Sequence, residues 1–138
     1  MQSESKAPKL FFHSVPVLPV RDLKQTISFY KFLLGFSNEW FYKDAEAGIS
    51  RGKLSMLFAK DEQLAAQVNT DEHGLSLLWF VSDADEIYLE FRAKGIIITS
   101  ELKDQPWGVR EFTFRDINGY FIRVAQSFEK ENFDEEKS

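Results

Sequence analysis

The chain repeats itself, and that constrains its fold more than any other feature. Residues 20–36, VRDLKQTISFYKFLLGF, run from a strand end through an aspartate and an amphipathic stretch to a glycine. Residues 81–96, VSDADEIYLEFRAKGI, follow the same grammar. In the first copy Asp22 can accept from the first-turn N–H groups. Ile27, Tyr30, Phe32, Leu33 and Leu34 supply an apolar side, and Gly35 takes the position just past the helix end. In the second, Asp83 or Asp85 is the cap, Ile87, Leu89 and Phe91 are the apolar positions, and Gly95 is the stop. Asp22 to Asp83 is 61 residues, and Gly35 to Gly95 and Gly48 to Gly108 are each 60. Single matches of Asp or Gly are common by chance; three at nearly one offset inside matching patterns are not.

The flanking segments match as well. Strand-like stretches precede each helix at 15–20 and 75–81. Others follow it at 39–42, 48–50 and 54–59, and at 96–100, 111–115 and 120–125, the last two joined by an Asn118-Gly119 turn. Each half therefore reads β-α-β-β-β. Module one covers about 10–60 and module two about 75–127, joined by a polar linker over 61–74 with a helical turn at 63–67. The predicted fold is α+β, two tandem modules forming curved mixed sheets around a cleft. A chain of 138 residues suits one such domain, here 10–127, and the cleft is its natural ligand site.

Composition narrows the partners. The net charge is −5, and the last ten residues, EKENFDEEKS, hold five acids and two lysines. An acidic, disordered tail is expected over 128–138 and a flexible N-terminus over 1–9. No basic block is present, which argues against nucleic acid. Without cysteine there is no disulfide, thiolate metal site or cysteine nucleophile. No apolar run approaches membrane-spanning length and the first residues hold no signal-like apolar core, so a soluble cytoplasmic protein is expected. Rings are plentiful, at 14 Phe, 3 Trp and 4 Tyr. The plainer reading of any one is core, but the excess leaves room for an aromatic-lined pocket.

Three stretches, VPVLPVRDLKQTISFYKFLLGF at 15–36, RGKLSMLF at 51–58 and QPWGVREFTFRDINGYFIRV at 105–124, give the chain a family likeness. It resembles the vicinal oxygen chelate superfamily, which includes glyoxalase I, extradiol dioxygenases and the fosfomycin- and bleomycin-resistance proteins. The SVPVL opening, the RG-K-L hairpin and the QPWG-REF-RD-NG stretch look most like the bleomycin-resistance branch. That resemblance implies a bacterial antibiotic-binding homodimer, which sequesters bleomycin-type glycopeptides between its subunits without altering them.

Metal-dependent members of the superfamily resemble one another in four ligand positions. In this chain those positions fall at Val15, Leu57 (or Met56), Ser76 and Arg123. Val and Leu offer no lone pair, Ser is a poor ligand alone, and Arg repels a cation. No cofactor and no metal are therefore expected, and no catalytic residue is assigned. A displaced site built from His13, His73 and Glu111 is the alternative, belonging to a glyoxalase- or dioxygenase-like enzyme; exposed or capping histidines are the plainer reading. No nucleophile elbow or phosphate-cradling loop is present either.

Ligand-binding candidates are Trp40, Phe41, Tyr42, Phe58, Trp107, Arg110, Glu111 and Arg123. Trp40 and Tyr42 face one way on a strand and Phe41 the other. Trp107 is either a lid on the core or a ligand wall, while Trp79 alternates with Leu77 and Val81 as a core residue. Glu111 can bind a cation or pair with Arg123 across neighbouring strands. A binding protein for another aromatic small molecule remains the other reading.

Overall fold

Each half of the chain closes its own four-stranded sheet. The computed structural model describes residues 10–128. In order, the elements are β1 (Val17–Val20), α1 (Leu23–Ser28, continuing as a π-helical turn over Phe29–Leu33), β2 (Ser37–Tyr42), β3 (Glu46–Arg51) and β4 (Leu54–Lys60). Then come α2 (Glu62–Val68), β5 (Ser76–Phe80), α3 (Ala84–Ala93), β6 (Ile98–Gln105), β7 (Val109–Arg115) and β8 (Phe121–Ser127). Sheet one runs β1-β4-β3-β2 and sheet two runs β5-β8-β7-β6. In both, the first pair is parallel and the rest are antiparallel. The expected α+β architecture is the observed one. The expected N-terminal segment 1–9, and the tail beyond Phe128, lie outside the described residues.

The helix grammar holds at atomic level. Asp22 accepts from Gln25 N at 2.8 Å and Asp83 from Glu86 N at 3.0 Å, so Asp83 rather than Asp85 caps α3. Gly35 and Gly95 both take positive φ just past their helices, at 77° and 79°. The third spacing match is a coincidence. Gly108 turns between β6 and β7 with φ of 92°, whereas Gly48 lies inside β3 beneath the Trp40 indole. Two apolar assignments also change. Phe32 and Leu89 are 62% and 66% exposed, because each sits two residues, roughly half a turn, from the buried ring on its helix, Tyr30 or Phe91. The polar linker holds a full helix, α2, capped by Asp61 through Leu64 N at 3.0 Å.

The two sheets share one core. Leu18, Val20, Met56 and Phe58 point into it from sheet one, and Trp79, Phe112, Phe114 and Ile122 from sheet two. A continuous run of rings crosses the joint: Tyr30 packs on Phe58 at 5.1 Å and Phe36 at 5.3 Å, Phe36 on Trp79 at 5.5 Å, and Trp79 on Phe114 at 5.8 Å. At the rim, Arg51 in module one grips Glu90 of α3 through two bonds of 2.8 and 3.0 Å.

A buried polar knot ties the modules at the turn between β7 and β8. Tyr30 donates its hydroxyl to Asp116 Oδ2 at 2.6 Å, and Asp116 Oδ1 accepts from the N–H groups of Asn118 and Tyr120, both at 2.9 Å. Asn118 reaches Thr26 on α1 at 2.8 Å, and the Tyr120 hydroxyl donates to the Pro19 carbonyl at 2.7 Å. Asn69 closes the knot by donating to Asn118 O at 3.1 Å and accepting from Leu75 N at 2.8 Å. No buried side-chain nitrogen or oxygen among the described residues lacks a partner.

Burial holds the Asp116 carboxyl above its ordinary range, against the lowering effect of the Tyr30 hydroxyl and the neighbouring backbone N–H groups. The folded value lies above the unfolded one, so this contribution is fully present at low pH. It is lost as pH rises from the usual carboxylate range through the raised value. Asp116→Asn should flatten that part of the stability profile, read as the urea midpoint between about pH 4 and pH 7. Tyr30→Phe leaves Asp116 Oδ2 buried without its donor and should lower unfolding free energy by about 1–3 kcal/mol in the same assay.

Candidate functional site

Strand alternation decides which predicted residues can meet a ligand. On sheet one, Trp40 pairs with Gly48 and Gly48 with Leu57, placing all three on the face opposite the shared core, with Val17 beyond. A Cβ on Gly48 would stand only 2.4 Å from Trp40 Nε1, so the indole lies flat on the sheet there. Tyr42 shares this open face, its ring 5.4 Å from Lys43 Nζ. Phe41 pairs with Ala47, and Ala47 with Phe58, on the other face. Phe58 is fully buried against Tyr30. It belongs to the core and offers no surface to a ligand, because residues 57 and 58 cannot face the same way.

Sheet two presents a second open face. Leu78 pairs with Arg123 and Arg123 with Thr113, while Phe80 pairs with Ala125 and Ala125 with Glu111. Arg123 grips Glu111 through Nε at 3.2 Å and the terminal nitrogen at 3.0 Å, and the Glu111 side chain is only 7% exposed. The Arg123 guanidinium stands 5.9 Å from the Trp107 ring centre. Trp107 itself sits in the turn between β6 and β7, 60% exposed. It is no lid on the core. Arg110, next to Glu111, points to the opposite side. It donates to Asp85 of α3 at 2.7 Å and to Asp104 at 3.1 Å, so it braces α3 and is absent from this face.

The donor set does not fit a metal. Val15 lies in the arm before β1, Leu57 on sheet one, and Ser76 and Arg123 on sheet two, where Arg123 is already committed to Glu111. Nor do His13, His73 and Glu111 gather: among the described residues no three His, Asp or Glu side chains are placed to hold one ion. His73 belongs to a loop whose Thr70 hydroxyl contacts its Nδ1 at 3.1 Å, and whose carbonyls are held by Arg115.

Two cavities, which the sequence did not reveal, flank the tip of the β3–β4 hairpin. One, of about 650 Å³, is bordered by Phe12, His13, Met56 and Leu77. The other, of about 610 Å³, is bordered by Phe36, Val81, Ile87 and Phe91. Lys53, Leu54 and Trp79 line both, and none of the eight predicted ligand-binding residues lines either. Of the candidates, Trp40, Tyr42, Glu111 and Arg123 occupy the two open sheet faces, Trp107 the turn beside sheet two, and Phe41, 46% exposed, the other face of β2. The one sequence signal for the cavities was the RGK turn at 51–53, which marks a hairpin tip carrying a cation.

No helix among the described residues is long and apolar enough to cross a membrane. The chain is 28% identical over 126 residues to a bleomycin resistance protein of Geobacillus stearothermophilus, covering 82% of this chain and 95% of that one. It is 27% identical over 117 residues to the uncharacterized protein YraH of Bacillus subtilis, covering 78% and 91%. Among solved structures it is similar to the bleomycin-binding protein of bleomycin-producing Streptomyces verticillus in complex with copper(II)-bleomycin. The TM-score there is 0.69 and the identity 26%, covering 87% of this chain and 99% of that one. The glyoxalase/bleomycin resistance protein/dioxygenase family model matches residues 12–124. With two β-α-β-β-β modules, a bleomycin-binding structural neighbour and that match, the chain belongs to the glyoxalase/bleomycin resistance protein/dioxygenase superfamily.

Proposed function

We propose that this protein is a non-enzymatic binding protein that sequesters bleomycin-type glycopeptide antibiotics in the cytoplasm. Its cleft, on this reading, forms between two copies of the chain and uses no protein-bound metal. The observation that carries the reading is the Arg123–Glu111 pair beside Trp107. Where metal-dependent relatives need a carboxylate, this chain has a guanidinium already neutralised by a buried acid. Such a face can stack and hydrogen-bond a planar heteroaromatic ligand, and it has no means to polarise one.

Homodimerisation suits the arrangement of the faces. Trp40 and Tyr42 stand on sheet one, Trp107 and Arg123 on sheet two, and each set looks away from the shared core. Sheet one of one copy set against sheet two of another encloses both sets around a single ligand. Exposed Val17, Leu78 and Phe80 add apolar area to the same faces. A binding protein for a different aromatic small molecule would use the same surfaces, and ligand titration separates the two readings.

Calorimetric titration with metal-free and copper-loaded bleomycin should give saturable heat at micromolar protein, and Trp107→Ala should weaken binding about three- to tenfold. No heat with either form leaves only the other ligand reading. Stoichiometric nickel, zinc or iron in the purified protein, with turnover of a hemithioacetal or a catechol, would sink both. Gly48→Ala tests Trp40 separately. The new Cβ should lift the indole off sheet one, red-shift tryptophan emission and weaken the drug complex while the unfolding midpoint changes little, because the exposed ring can swing aside.

A further inference from the structure

The cavity between the β3–β4 hairpin tip and α3 lies inside one chain and borders the open face of sheet two through Phe80. Its floor is made of Phe36, Trp79 and Phe91, each almost fully buried, and its sides of Leu54, Val81 and Ile87. At about 610 Å³ it is of the size that accepts a small organic molecule. The floor therefore offers ring faces and edges and little else.

Its polar rim is more selective. Arg51 is occupied, with its terminal nitrogens donating to both Glu90 oxygens and to the Leu34 carbonyl. Asp83 caps α3 and Asp85 holds Arg110, so neither acid is free to neutralise a second cation. Glu86 adds to the field at Arg51 and does not line the cavity. That leaves Lys53, which makes no ion pair among the described residues, with the Ser82 hydroxyl also at the rim. A lysine without an ion pair among the described residues, lining a cavity floored by rings, recognises one negative charge on an apolar body.

We infer that this cavity is a second ligand site, which takes a small aromatic carboxylic acid with its ring on Phe36, Trp79 and Phe91 and its carboxylate on Lys53. A dianion such as a phosphate ester would meet too little positive charge here, and a neutral ring would leave Lys53 unused. The site uses neither Trp107 nor Arg123, and it shares only Phe80 with the face of sheet two. An occupant would touch Leu54 and Lys53 of module one together with Val81 and Ile87 of module two, and so would brace the joint between them.

The test is a methyl- and indole-resolved NMR titration of the full chain with 1-naphthoate and, separately, with its neutral amide. Naphthoate should shift Ile87 and the Trp79 indole, and should bind about five- to tenfold more tightly than the amide. Lys53→Gln should erase that difference while leaving the amide unchanged, and Ile87→Trp should block both by filling the cavity. Trp107→Ala should have no effect, which keeps this result separate from the drug titration. The inference is overturned if Ile87 stays unshifted at millimolar naphthoate, if the shifts fall on Met56 in the neighbouring cavity, if Lys53→Gln leaves the preference intact, or if Trp107→Ala removes binding.

Discussion

One hydrogen bond organises this molecule: the Tyr30 hydroxyl to the Asp116 carboxylate, 2.6 Å long and shut away from water. Its donor sits on the helix of module one and its acceptor on the last turn of module two. A carboxylate cannot be buried without enough donors, and the β7–β8 turn supplies two backbone N–H groups to complete the set. That requirement fixes the turn, the turn fixes Asn118, and Asn118 in turn locks onto Thr26. Around this polar centre the rings of Tyr30, Phe36, Trp79 and Phe114 form a single apolar seam. Polar geometry sets the register of the two modules, and ring burial supplies most of the driving force.

Because the modules join through their helix-bearing faces, the other face of each sheet is left to chemistry. Sheet two answers with a buried acid, a guanidinium and an indole. Sheet one answers with an indole lying over a glycine and a tyrosine beside it. Among the described residues neither face gathers three groups placed to hold a metal ion, while the scaffold is that of the superfamily.

Much of this architecture was legible in the chain, because helix caps and stops are local. Asp22, Gly35, Asp83 and Gly95 announce their elements through hydrogen bonds and backbone angles that depend on a few neighbours. The pairing of Glu111 with Arg123 was legible too, since it needs only two adjacent strands. Phe58 and Arg110 were misplaced where strand parity was not carried through. With Leu57 and Glu111 assigned to the open faces, their immediate neighbours had to face away. The two cavities were illegible for a different reason. Each is walled by a hairpin tip, a strand and either a helix or the N-terminal arm, brought together only by the tertiary joint.

The Tyr120 hydroxyl on the Pro19 carbonyl has a consequence for how this protein can meet others. Val20 turns its carbonyl inward to Asp61 N, so by alternation the backbone of Pro19 looks out from the free edge of sheet one. There a proline has no N–H to give, and its oxygen is already taken. The edge is chemically silent at the residue where a foreign strand would need both a donor and an acceptor. Growth of the sheet by strand addition, the usual route from a stray edge to aggregation, is hindered at that residue. On that side recognition falls to the flat of the sheet, where side chains rather than backbone choose the partner.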